Sequence, residues 1–170
     1  MVNGLRVSLL GISTAFVFTA LIVPPTNPDF DWVVEGNTAN SDFGFWADGG
    51  GDINGDGYDD LIIGAPGVSH SYVGEGAVYI YYGGPDGLAD EPGWVTYGAN
   101  DSAGYGKCVS IKGDVNADGY ADVLIGSHQH RNTKLNEGKV LLFLGGPDGP
   151  SYTPFWTMIG GRKGAKLGEA

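Results

Sequence analysis

The sequence predicts an all-β chain, a partial β-propeller of four-stranded blades, and three observations point there. Trp32, Trp94 and Trp156 are evenly spaced along the chain, and Asp52 with Asp114 and Gly64 with Gly126 keep the same interval. The turn Gly83-Gly84-Pro85-Asp86-Gly87 recurs at that offset as Gly145-Gly146-Pro147-Asp148-Gly149. The 31 glycines separate short apolar runs, a pattern of many strands joined by tight turns. An interval kept at independent landmarks without insertion marks a tandem structural unit.

The elements follow in order. Arg6 precedes an apolar run from Val7 to Val23, closed by Pro24-Pro25. A basic start and a hydrophobic stretch fit a secretory signal within residues 1–28, an uncleaved membrane anchor, or a segment buried in an assembly. Each reading places the remainder outside the cytoplasm, secreted or on a cell surface, with membrane contact only through residues 7–23 if they are retained.

Residues 32–170 form the repeat region. Trp32-Val33-Val34 is expected to be a leading strand of the fourth type. The first unit, about 43–98, then reads as four strands. One follows Phe43-Gly44, and Asp60–Ile63, Ala77–Tyr82 and Trp94–Tyr97 supply the rest. The second unit, about 105–159, repeats them after Tyr105-Gly106, at Asp122–Ile125, at Lys139–Leu144 and at Phe155–Met158. These runs are β-branched, aromatic or Leu-rich and bounded by Gly, Pro or Asp. The third strand is apolar on both faces, which suits a sheet stacked between neighbours. A partial third repeat runs to residue 170, with Leu167-Gly168 equivalent to Phe43-Gly44.

Composition narrows the function. A net charge of -11 leaves no basic face for phosphates, so nucleic acid is not an expected partner. The one cysteine, Cys108, cannot form an intrachain disulfide and reads as a small buried core residue. The acidic residues cluster in GDINGDGYDDLIIGAP at 51–66 and GDVNADGYADVLIGSH at 113–128. Asp52, Asn54, Asp56 and Asp60, and again Asp114, Asn116, Asp118 and Asp122, occupy the spacing D-x-N-x-D-G-x-x-D. Alternating oxygen-bearing side chains on a tight loop converge as a hard divalent cation requires, and carboxylates so close repel one another without one. The carbonyls of Tyr58 and Tyr120 fall where a main-chain ligand is expected. Two calcium ions are therefore expected, one per loop. An EF-hand is excluded because its twelfth position requires Glu, and here Ile63 and Ile125 stand there.

The loops, with Phe43-Gly44 before and Gly64-Ala65-Pro66 after, resemble the FG-GAP repeat of integrin α-subunit propellers. The second copy departs at its flanks, with Tyr105-Gly106 and Gly126-Ser127-His128, but keeps the ligand positions. The resemblance implies calcium sites, a propeller and a surface for adhesion or ligand binding.

His128 and His130 lie in the loop at 127–137 and read as solvated residues rather than a transition-metal pair. Asn100-Asp101-Ser102 is a glycosylation sequon. No nucleophile elbow, phosphate loop or Ser/His/Asp set occurs, so an enzyme is not expected. Two functions stay open. One is an extracellular calcium-binding module with a protein or carbohydrate ligand; the other is a structural subunit assembling with further blades or identical chains into a ring or filament.

Overall fold

A computed structural model describes residues 32–170, and the expected signal or anchor segment at 1–28 lies outside them. Eight strands make two antiparallel four-stranded sheets, each in sequential order. The first holds β1 (Trp46–Gly51), β2 (Asp60–Ala65), β3 (Ala77–Tyr81) and β4 (Trp94–Tyr97). The second holds β5 (Tyr105–Gly113), β6 (Asp122–Ser127), β7 (Lys139–Phe143) and β8 (Trp156–Ile159). These are two blades of a β-propeller. In each blade the acidic loop joins the first two strands and a glycine-rich turn joins the last two, the turns being closed by Gly87 N–H to Gly84 carbonyl at 3.0 Å and by Gly149 to Gly146 at 2.7 Å.

The sheets stack face to face over one core. Ile62, Val78, Ile80 and Trp94 of the first meet Val109, Ile111, Val123, Ile125, Leu141 and Phe143 of the second. Close approach of the inner strands depends on glycine. A Cβ on Gly64 would lie 2.0 Å from the Gly106 carbonyl oxygen, so no other residue fits without separating the blades. Asp48 ties the same seam. It accepts from Ser110 Oγ at 2.9 Å and Ile111 N at 3.2 Å, and pairs with Lys112 Nζ at 3.0 Å. Burial acts to raise its pKa, but these donors outweigh it and leave the pKa lowered.

The repeat is visible in what each sheet covers. Ile62, Ile80 and Trp94 lie in register on the face of the first sheet that the second covers. Their counterparts Leu124, Leu142 and Trp156 lie in register on the second sheet, and Leu124 and Trp156 are 43% and 42% exposed against 0% and 3% for Ile62 and Trp94. Strand β8 is exposed along its whole length.

Three expectations are corrected. Trp32-Val33-Val34 is not a strand. Among the described residues no strand lies beside it to form a ladder, and Trp32 docks by its ring instead, edge-on to Tyr81 at 5.2 Å, with Nε1 donating to the Ala89 carbonyl at 3.0 Å. His130 is not solvated but 8% exposed, because the loop after β6 turns it under the neighbouring blade, where Asn100 Nδ2 approaches its Nδ1 at 3.3 Å. Cys108, expected in the core, is half-buried on β5, and burial raises its pKa.

Candidate metal-binding loops

Each acidic loop joins the first two strands of its blade, and its side chains organise its own backbone. Asp52 Oδ1 accepts from Gly55 N at 2.6 Å and Asp56 N at 3.1 Å, and Oδ2 accepts from Gly57 N at 2.8 Å. Asn54 Oδ1 accepts from Asp56 N, and Asn54 Nδ2 donates to Asp56 Oδ2 at 2.9 Å. Asp56 Oδ1 takes the Tyr58 N–H at 3.0 Å. The second loop repeats this. Asp114 accepts from Asp118 N and Gly119 N, Asn116 Nδ2 donates to Asp118 Oδ2 at 2.8 Å, and Asp118 Oδ1 takes the Tyr120 N–H. Gly57 and Gly119, at φ 91° and 95°, make the bend that a side chain would strain. Gly55 also has positive φ, whereas its counterpart Ala117 holds φ 59° with a Cβ.

Asp60 and Asp122 close the loops from below. Asp60 Oδ2 accepts from Ile53 N at 2.7 Å and Oδ1 from Gly83 N at 2.8 Å; Asp122 does the same with Val115 N at 2.7 Å and Gly145 N at 3.0 Å. One carboxylate thus links the acidic loop to the Gly-Gly-Pro-Asp-Gly turn, which accounts for their fixed offset in both repeats. Burial raises the Asp60 pKa, its two backbone donors lower it, and Asp56 and Asp52 raise it further.

The structure therefore brings Asp52, Asn54 and Asp56, and Asp114, Asn116 and Asp118, into direct contact within each loop. It holds Asp60 and Asp122 at the base, bonded to backbone. Among the described residues no three His, Cys, Asp or Glu side chains stand close enough together to hold a metal ion as they are placed. The donor chemistry nonetheless fits a hard cation. Every side chain at these positions offers oxygen, and no ion pair among the described residues involves Asp52, Asp56, Asp60, Asp114, Asp118 or Asp122.

Two buried acids escaped the sequence reading. Glu75 is 0% exposed and Glu137 2% exposed. Glu75 Oε1 accepts from the backbone N–H of His70, Ser71 and Tyr72. Glu137 Oε2 accepts from Asn132, Thr133 and Lys134, and its Oε1 from Thr133 Oγ1. Donation by Lys134 outweighs the cost of burial and, with Thr133 and Asn132, brings the Glu137 pKa down to about 2. Each acid moulds the loop between the second and third strands of its blade. The signal was present: both precede glycine, and they stand one repeat interval apart. The sequon residue Asn100 is not freely presented, since its Nδ2 donates to the Arg131 carbonyl at 2.9 Å.

The model of the FG-GAP repeat family matches residues 43–81, from the start of the first blade through the acidic loop to β3. Integrin alpha-6 of Gallus gallus is 37% identical over 91 residues, covering 53% of this chain and 8% of that protein. Integrin alpha-PS2 of Drosophila melanogaster is 36% identical over 113 residues, covering 61% and 8%. Phosphatidylinositol-glycan-specific phospholipase D of Bos taurus is 34% identical over 113 residues, covering 61% and 13%. The chain spans about a tenth of the length of the curated relatives it matches. Repeat model, relatives and paired four-stranded sheets agree: residues 43–81 match the FG-GAP repeat, and the two sheets are similar to blades of integrin α propellers.

Proposed function

We propose that this chain is a calcium-stabilised propeller segment that acts outside the cytoplasm as a binding or adhesion module. The observation that carries the reading is the duplicated loop. Two oxygen-only ligand sets, one in each repeat, fold alike, and among the described residues no ion pair neutralises them. One calcium per loop relieves that repulsion, with Asp52, Asn54, Asp56, Asp60 and the Tyr58 carbonyl as ligands in the first. Asp114, Asn116, Asp118, Asp122 and the Tyr120 carbonyl serve in the second. Because an unfolded loop cannot converge these groups, binding stabilises the fold by mass action. Affinity is expected on the order of micromolar to millimolar. Catalysis forms no part of the proposal. Calorimetric titration of the chelator-treated chain tests it: two calcium sites are expected, Asp56→Ala and Asp118→Ala each removing one. A titration without calcium-dependent heat overturns it.

A second reading rests on the open face of the second blade. Leu124 and Trp156 are exposed where the equivalent first-blade residues Ile62 and Trp94 are covered. An apolar sheet face of this kind suits a further blade or a second copy of the chain, the latter giving a ring or a filament according to whether the rotation closes. Sedimentation of the chain with calcium decides it: self-association supports it, and a monomer of 17.7 kDa at high concentration removes it.

A further inference from the structure

A cleft of about 420 Å³ opens between the two blades, away from the acidic loops. One wall is the outer strand of the first blade, with Thr96 and Tyr97, and the other is β7, with Lys139, Leu141 and Phe143. Tyr105 lies within, its hydroxyl bonded to Thr96 Oγ1 at 2.9 Å, and Tyr152 stands at one side, its ring stacked on Trp94 at 5.7 Å. The size falls in the range of small-molecule pockets, roughly 300–1,000 Å³.

The polar residues are what set this cleft apart. Ser127, His130 and Lys139 all line it. At the equivalent positions of the preceding repeat stand Ala65, Val68 and Ala77, which form a buried apolar cluster. The blade scaffold therefore folds without charge at these three places, and the second repeat carries a lysine and a histidine there for another reason. Lys139 has no acidic partner and Nζ no hydrogen bond among the described residues. Burial lowers its pKa; burial, followed by the Lys139 charge, lowers that of His130. The nearby acid, Glu137, is committed to the N–H groups of its own loop. Asn100 Nδ2 is oriented by its bond to the Arg131 carbonyl, so His130 Nδ1 accepts from it and the neutral ring carries its proton on Nε2. An uncompensated ammonium and an imidazole lining one cleft, against aromatic and aliphatic walls, suit an anionic group carried on an apolar body.

We propose that the interblade cleft binds a small carboxylate-bearing molecule, Lys139 and His130 holding the carboxylate and Tyr97, Leu141, Phe143 and Tyr152 packing its body. An ammonium and an imidazole N–H both donate to a carboxylate, and a charge-assisted bond inside a half-buried cleft is stronger than one in water. All the lining belongs to the two described blades, so the site is independent of whatever covers the second sheet and of the loops' cation.

Calorimetry and ligand-observed NMR on the full chain test it with phenylacetate, glucuronate and the neutral phenylacetamide. Saturable binding of phenylacetate or glucuronate is expected, with phenylacetamide at least about tenfold weaker, as follows from losing a charge-assisted hydrogen bond. Whichever carboxylate binds more tightly assigns the body as aryl or as sugar acid. Lys139→Ala and His130→Val install the residues that the first repeat carries, and Lys139→Met keeps the apolar stem should alanine disturb the fold. Each is expected to weaken carboxylate binding at least about tenfold with the melting temperature retained. Neither carboxylate binding, equal binding of the amide, or unchanged binding by the Lys139 variants would overturn the proposal.

Discussion

Trp94→Ala tests the stacking of the blades most directly, because the molecule supplies its own control in Trp156. Both tryptophans stand at the same place in their repeats, but Trp94 is 3% exposed and Trp156 42%. Trp94 meets Phe143 edge-on at 5.4 Å and stacks with Tyr152, so its removal empties the centre of the interblade core. A buried Trp→Ala change costs about 3–5 kcal/mol through lost transfer energy and the cavity left behind. Trp156→Ala removes roughly half as much buried surface and leaves no closed cavity, about 1–2 kcal/mol. In a chain of this size 1 kcal/mol moves the melting temperature by about 2–4 °C, so losses of about 6–20 °C and about 2–8 °C are expected. Trp94 Nε1 is buried without an acceptor, so Trp94→Phe discards an unpaired donor with the lost volume and should cost less than Trp94→Ala. Calorimetric melting of the four proteins at equal concentration and fixed calcium measures this. Trp94→Ala melting within about 2 °C of the parent, or Trp156→Ala costing as much in a demonstrated monomer, would refute the reasoning.

Other outcomes follow from single contacts. Ala117 holds a positive φ that its counterpart Gly55 adopts freely, so Ala117→Gly is expected to stabilise the chain by up to about 1 kcal/mol, measured by denaturant melting. Gly64→Ala drives a Cβ into the Gly106 carbonyl and should cost more than about 2 kcal/mol; a neutral effect would mean that the blades separate freely. Glu137 has its folded pKa lowered from 4.5 to about 2, so its contribution is complete above the unfolded value and lost as the pH falls through that interval. Glu137→Gln should therefore destabilise near neutrality and flatten the stability–pH curve between those limits, as acid titration followed by circular dichroism will show. Chelation should lower the melting temperature of the parent and much less that of an Asp56→Ala, Asp118→Ala double variant.

Much of this protein is legible in its residues. The constant repeat interval, the runs at Asp60–Ile63 and Ala77–Tyr81, and the Gly-Gly-Pro-Asp-Gly turns specify strands and hairpins locally. The acidic loops are equally local: Asp52 to Asp60 spans one hairpin, so the spacing alone places Asp52, Asn54 and Asp56 on one tight loop with Asp60 at its base. What tertiary structure decided lies between repeats. The indistinguishable tryptophans became a core residue and a surface residue because burial depends on the neighbouring sheet, not on sequence context. His130 read as solvated because loop polarity says nothing of the blade that folds over it. Trp32-Val33-Val34 has a strand's composition, yet a strand exists only where a partner offers its hydrogen bonds. Asp48 looked like one acid among many until the stack set it against Ser110, Ile111 and Lys112 of the next blade. Local spacing determines what each blade is; the contact of one blade with the next determines which of its side chains are core, clamp or cleft.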